Sequence, residues 1–247
     1  AQDNATSSAR RAALLNELAE SARRRNVKPA GDLVAMLKPW LEATSDEPTR
    51  RAAINCLGKW KVESLRGTAV QLASTNETPL PLRQAALEAL TELGGPDSVR
   101  TLVAHSDAKE PWPVRLTAVA SLASLDLKLA AEKAVEIFSS TSPQNDPTAL
   151  FNALLQHKGG PEALSAALQD KRLPEDAAKF GVRAIDASGR PIPALSEALI
   201  KASGLTSGPR ELSPEQMQAL VDEVKTKGDP HRGEVVYRRK GLDCLKC

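Results

Sequence analysis

Apolar residues along this chain recur at helical spacing, and the spacing restarts at regular intervals behind a proline. Pro48-Thr-Arg50-Arg-Ala52-Ala-Ile54-Asn-Cys56-Leu57, Pro81-Leu-Arg83-Gln-Ala85-Ala-Leu87-Glu-Ala89-Leu90 and Pro113-Val-Arg115-Leu-Thr117-Ala-Val119-Ala-Ser121-Leu122 align without gaps, 33 and 32 residues apart. Each carries its apolar residues on one face of a helix. A weaker copy runs from Asp146-Pro147 to Leu155, and a looser one from Pro174 to Ala187. The stretches between them repeat as well, since Leu93-Gly-Gly-Pro96-Asp-Ser-Val99 returns as Gly159-Gly-Pro161-Glu-Ala-Leu164. Proline fits the first turn of a helix, where its missing N–H has no partner to lose, and glycine fits the turn that closes the helix before. Each period therefore predicts two helices, and the chain predicts an all-α solenoid.

The resulting Pro-x-Arg-x-x-Ala-hydrophobic pattern resembles HEAT-type helical repeats, spanning residues 10–203 after a flexible N-terminus at 1–9. That resemblance implies stacked helix pairs in a right-handed superhelix, with the motif on the second helix of each pair. A pair this short cannot bury its apolar stripe alone, so neighbours supply the rest of the core. The resemblance also implies a ladder of arginines paired with acids of neighbouring turns; Arg50, Arg83 and Arg115 match it and Ala149 breaks it.

After Ser203 the pattern changes. Residues 204–213, with Gly204, Gly208 and Pro209, read as a linker. Ser213-Pro214-Glu215-Gln216 supplies a capping box for an amphipathic helix running to about Lys225, and Gly228-Asp229-Pro230 opens another ending near Gly241.

Composition supports this outline. The chain has 247 residues and 41% hydrophobic content but only 3% aromatics, so a core must come from Leu, Ala, Val and Ile. The net charge of +2 gives no argument for nucleic acid, and no run approaches the length of a membrane span. The charge is unevenly placed, with +4 over residues 225–247 and therefore −2 over residues 1–224. Opening at Ala1 without an apolar signal core fits either a signal-peptidase product or an expression boundary.

The candidate chemistry lies at Cys244-Leu-Lys-Cys247. Cys-x-x-Cys offers two thiols one helical turn apart, the spacing of covalent haem attachment, which also requires an adjacent histidine for the iron. A structural zinc site wants four ligands where this chain offers one pair and the distant His105, His157 and His231. A thioredoxin-like centre wants a strand-to-helix junction. An incidental or disulfide-forming pair is the remaining reading.

From Gly228 to Cys247 the segment, with Gly228-Asp229-Pro230, Arg232-Gly233-Glu234, Tyr237 and the cysteine pair, resembles the opening of a class I c-type cytochrome, in the version joined to HEAT repeats in large exported planctomycete-type proteins. The resemblance implies thioethers from Cys244 and Cys247 to haem c in the intact parent, packing of Tyr237 on a partner helix, and a proximal histidine beyond Cys247. It further implies export to the periplasm or cell envelope and a redox partner or fused dehydrogenase domain, of which a sugar or alcohol oxidase would be one form. This stretch alone is expected to hold no working haem, no metal and no catalytic set of its own. The rival reading is a protein-binding HEAT scaffold without a redox role, using the surface of the solenoid. Cys56 reads as a small buried hydrophobe, Met36 and Met217 as core residues, His105 and His157 as groups near helix ends with either a surface role or a favourable interaction with the helix C-terminus, and His231 as exposed.

Overall fold

The computed structural model describes residues 2–25, 27–42, 44–142, 145–205 and 212–238. Helix makes up 74% and no strand occurs among these residues, so the all-α expectation holds. The chain divides into two units, Ala1–Leu205 and Thr206–Cys247.

The first unit begins with α1 (Gln2–Arg25), then α2 (Leu33–Leu41), α3 (Glu47–Lys59), α4 (Arg66–Ser74) and α5 (Leu80–Leu93). It continues through α6 (Gly95–Ala104), α7 (Trp112–Leu122), α8 (Leu127–Ser139), α9 (Thr148–Gln156), α10 (Gly160–Ala167), α11 (Glu175–Ala187) and α12 (Pro193–Ser203). Within segment 1–9, expected to be flexible, α1 is helical from Gln2.

Two rows of helices result. The odd-numbered helices α1, α3, α5, α7, α9 and α11 each pack on the next, and the even-numbered ones lie behind them, where α10 touches both α8 and α12. The repeated Pro-x-Arg segments all fall in the odd row, on α3, α5 and α7, as the second helix of each pair.

Local signals explain the boundaries. Asp32, Asp46 and Asp126 precede α2, α3 and α8 and accept backbone N–H bonds from their first turns. Pro48, Pro81, Pro96, Pro113 and Pro161 occupy first-turn positions. Gly159, with φ of 81°, makes the left-handed turn into α10 that a side chain would resist.

The core is chiefly leucine and alanine, which lets the rows approach closely. A Cβ on Gly58 of α3 would lie 2.7 Å from Ala89 Cα of α5, so these helices meet nearly backbone to backbone. Three of the seven aromatics sit at the centre: Trp60, Phe138 and Phe151 are the largest fully buried side chains. Phe138 and Phe151 stack with ring centroids 3.9 Å apart and join α8 to α9.

The second unit contains α13 (Pro214–Lys227) and α14 (Pro230–Tyr237). The capping box forms, since Gln216 N–H donates to Ser213 Oγ and Ser213 N–H to Gln216 Oε1. Asp229 caps α14 through the N–H groups of His231 and Arg232. Neither helix buries a residue, and Met217, Leu220, Val221 and Val224 form an exposed stripe along α13. Among the described residues this unit has no core.

Candidate interaction surface

The open side of the odd row forms a groove of 760 Å³ across α1, α3, α5 and α7. Its floor is short side chains, Ala52, Ala85, Ala89 and Ala120 among them, because the residues that bring these helices close cannot be large. Polar contacts fix the spacing of each adjacent helix pair. Asn55 of α3 donates to Asn16 Oδ1 of α1 at 3.2 Å, Lys59 of α3 pairs with Glu92 of α5, and Gln84 of α5 donates to Thr117 Oγ1 of α7 at 2.9 Å. The surface thus offers hydrogen-bonding groups and both charge signs over a flat apolar floor. A second cavity of 920 Å³ lies between α10 and α12, over Leu168 and Ile192.

At one end of the helix pairs lie the repeated arginines. Arg83 Nε donates to the Ala73 carbonyl at the end of α4 at 2.7 Å, and its guanidinium pairs with Glu110 at 2.5 Å. Arg115 repeats the first contact, donating from Nε to the Ser106 carbonyl at 3.3 Å, while its guanidinium reaches Ser140 Oγ and lies 5.5 Å from the Trp112 ring centroid. Arg50 Nε is buried without a hydrogen-bond partner among the described residues. Among the described residues the implied ladder is therefore one ion-paired rung, Arg83 to Glu110; Arg115 instead donates to the Ser106 carbonyl after α6, and Arg50 Nε has no hydrogen-bond partner.

His105 joins this cluster. It ends α6, as expected, but is 6% exposed, so of the two roles expected for it the surface one is ruled out. Its Nε2 lies 3.4 Å from Ser74 Oγ and its Nδ1 3.9 Å from Glu110 Oε1. Burial holds the imidazole below the ordinary value of 6.5, against an opposing pull from Glu110. The order Ser74, His105, Glu110 resembles a nucleophile, base and orienting acid in outline only. Glu110 is committed to Arg83, the His–Glu separation exceeds a hydrogen bond, and neither the groove nor the cavity beside α12 includes the three residues. No spacing in the sequence could reveal the cluster, since Ser74, Arg83 and Glu110 belong to three different segments.

The other predicted positions divide. Cys56 is fully buried, its Sγ donates to the Leu15 carbonyl at 3.2 Å, and burial pushes the thiol up to about 12. His157 is half-buried at the end of α9 and His231 is exposed in α14. Met36 and Met217 are not core residues: they are 46% and 49% exposed, because each lies on the side of its helix that no neighbour covers. Tyr237 is half exposed at the end of α14. Cys244 and Cys247 lie outside the described residues. Among the described residues, no group of three or more His, Cys, Asp or Glu side chains is placed to hold a metal, and no helix is long and apolar enough to cross a membrane.

Three helix pairs, α2/α3, α4/α5 and α6/α7, thus share one packing scheme, one arginine position and one groove-lining face. Residues 34–123 match the HEAT repeats family. The match spans those three pairs, which carry most of the groove's lining residues, and α8 to α12 continue the two-row layering beyond the matched residues. No curated protein and no solved structure matches the chain.

Proposed function

We propose that this chain is a protein-interaction scaffold that receives its partner in the groove of the HEAT repeats. The groove across α1, α3, α5 and α7 carries this reading: it is continuous over four helices, its floor is fixed by close helix packing, and its polar groups reach solvent. HEAT solenoids supply extended surfaces of this kind. Photo-crosslinking residues placed at Asn55 and Ser124 in the groove, and at Lys128 on α8, test it. A partner captured from the groove positions and not from Lys128 supports the reading, provided the purified partner binds N55W and S124W at least about tenfold more weakly than the parent chain, a loss of about 1.4 kcal/mol. Equal binding to all three proteins rejects it.

At finer detail, we propose that the scaffold is the docking arm of an exported c-type cytochrome, positioning a haem domain against a redox partner or fused dehydrogenase. Two observations support this: the Gly228–Tyr237 segment with its cysteine pair, and the exposed apolar stripe of α13, which has the form of a surface awaiting the remainder of a domain. Haem c, where present, would be bound by Cys244 and Cys247 through thioethers and would supply a one-electron iron centre. The two thiols suit attachment, the resemblance places the iron-ligating histidine beyond Cys247, and no electron-transfer step is assigned to these residues. The natural-length protein, matured in a periplasm with cytochrome c machinery, gives a covalent haemochrome spectrum if this reading is right. A protein free of covalent haem leaves the scaffold alone.

A further inference from the structure

We infer that His105, Glu110, Arg83 and the end of α4 form a proton-operated latch between the second and third HEAT pairs. The latch is closed while His105 is neutral, and acid opens it.

The argument starts from what the two basic side chains share. Arg83 of α5 donates to the Ala73 carbonyl and pairs with Glu110. His105, from the end of α6, lies against the same carbonyl and carboxylate, with Ser74 Oγ on its other nitrogen. One carboxylate and one carbonyl therefore serve an arginine that is always charged and a histidine that need not be. With His105 neutral, the charges of the buried Arg83–Glu110 pair cancel each other. A proton on His105 puts a second cation beside Arg83 with no second anion: Lys109 on the same loop adds to the repulsion, and Arg115 of α7, donating to the adjacent Ser106 carbonyl, offers no compensation. Burial allows little water to screen the excess.

The elements held by this cluster give the proton its consequence. Arg83 belongs to α5, Ala73 and Ser74 end α4, and Glu110 lies on the loop entering α7. Releasing Glu110 from Arg83 unties the 105–111 loop from the preceding pair and loosens the entry of α7 against α5, while the Gln84–Thr117 bond and the shared core still join the two helices. These two helices line the groove. The latch stands whether or not the groove has the partner proposed above, since its readout lies in the repeats themselves.

Native-state hydrogen exchange on the full chain, kept reduced, tests it alongside imidazole NMR between pH 7.5 and 5. His105 titrates below 6.5, and protection of segments 71–83 and 103–116, corrected for intrinsic exchange, falls together by up to about tenfold per pH unit below 6.5. Segment 158–168 in α10 keeps its protection. In H105Q the step is absent, and in E110Q the His105 titration moves to lower pH because the carboxylate that favours its charged form is gone. Titration of His105 at or above 6.5, loss of protection in α10 to the same extent, a step that survives in H105Q, or an unmoved His105 in E110Q each overturns the latch. Should H105Q fail to fold, the wild-type titration and E110Q decide the matter.

Discussion

Arg83 and Glu110, 27 residues apart in sequence, meet at 2.5 Å with their side chains 4% and 12% exposed. A pair so buried is costly to form and costlier to break, because removing one partner leaves the other charge in a poorly solvated site. R83A is therefore expected to lose about 3 kcal/mol or more in urea unfolding. The double replacement R83M/E110L, which removes both charges together, is expected to recover most of that loss. A double variant as unstable as R83A would show that packing of the arginine, and not its charge pairing, is what matters.

Helix approach provides a sharper contrast at two glycines. Gly58 faces Ala89 with room for no Cβ, whereas a Cβ on Gly67 near the start of α4 meets nothing within 4 Å. G58A should cost about 1–3 kcal/mol by forcing α3 from α5. G67A should gain about 0.5 kcal/mol by restricting the unfolded chain and improving helix propensity. Thermal melts of the two proteins shift in opposite directions; a common direction would contradict the close approach.

The helix pairs were legible because proline and the apolar stripe restart together at Pro48, Pro81 and Pro113, and the glycine pairs Gly94-Gly95 and Gly159-Gly160 mark two of the turns between helices. The site was less so. Arg50, Arg83 and Arg115 occupy one motif position, yet among the described residues only Arg83 of the three is ion-paired, because the seven-residue 105–111 loop carries Glu110 back onto α5. The corresponding loop before α5, at 75–79, has five residues, and Glu77 on it is exposed. Loop reach is not written in a helical period. The burial of His105 was not legible for a similar reason, since a position near a helix end says nothing of what packs over that end. Met36 and Met217 show the reverse error, an apolar residue on an apolar stripe that no neighbour covers.

Cys56 gives a prediction with a definite pH sign. Burial raises its folded value from 9.0 to about 12, so the thiol stays protonated in the folded chain while the unfolded chain ionises first. Its contribution to stability is complete below pH 9 and declines as pH rises from there towards 12. In a C244S/C247S background, Cys56 should be inert to thiol reagents at pH 8 until denaturant unfolds the repeats, with labelling rates following the unfolding curve. Labelling in native buffer would place Cys56 in a loosely packed part of the core.

The last prediction concerns the second unit, whose helices bury nothing among the described residues. α13 has 14 residues, a length at which helix nucleation is barely recovered in water, and its capping box adds about 1 kcal/mol at most. Its apolar stripe at Met217, Leu220, Val221 and Val224 gains nothing while it faces solvent. A peptide of residues 212–238 should therefore show weak helical circular dichroism, less again in S213A, and residues 1–205 alone should keep the melting transition of the full chain, since their core is complete within α1 to α12. Strong helicity in the peptide would mean that local signals suffice for this segment. Loss of the transition in 1–205 would mean that the solenoid depends on residues past Leu205.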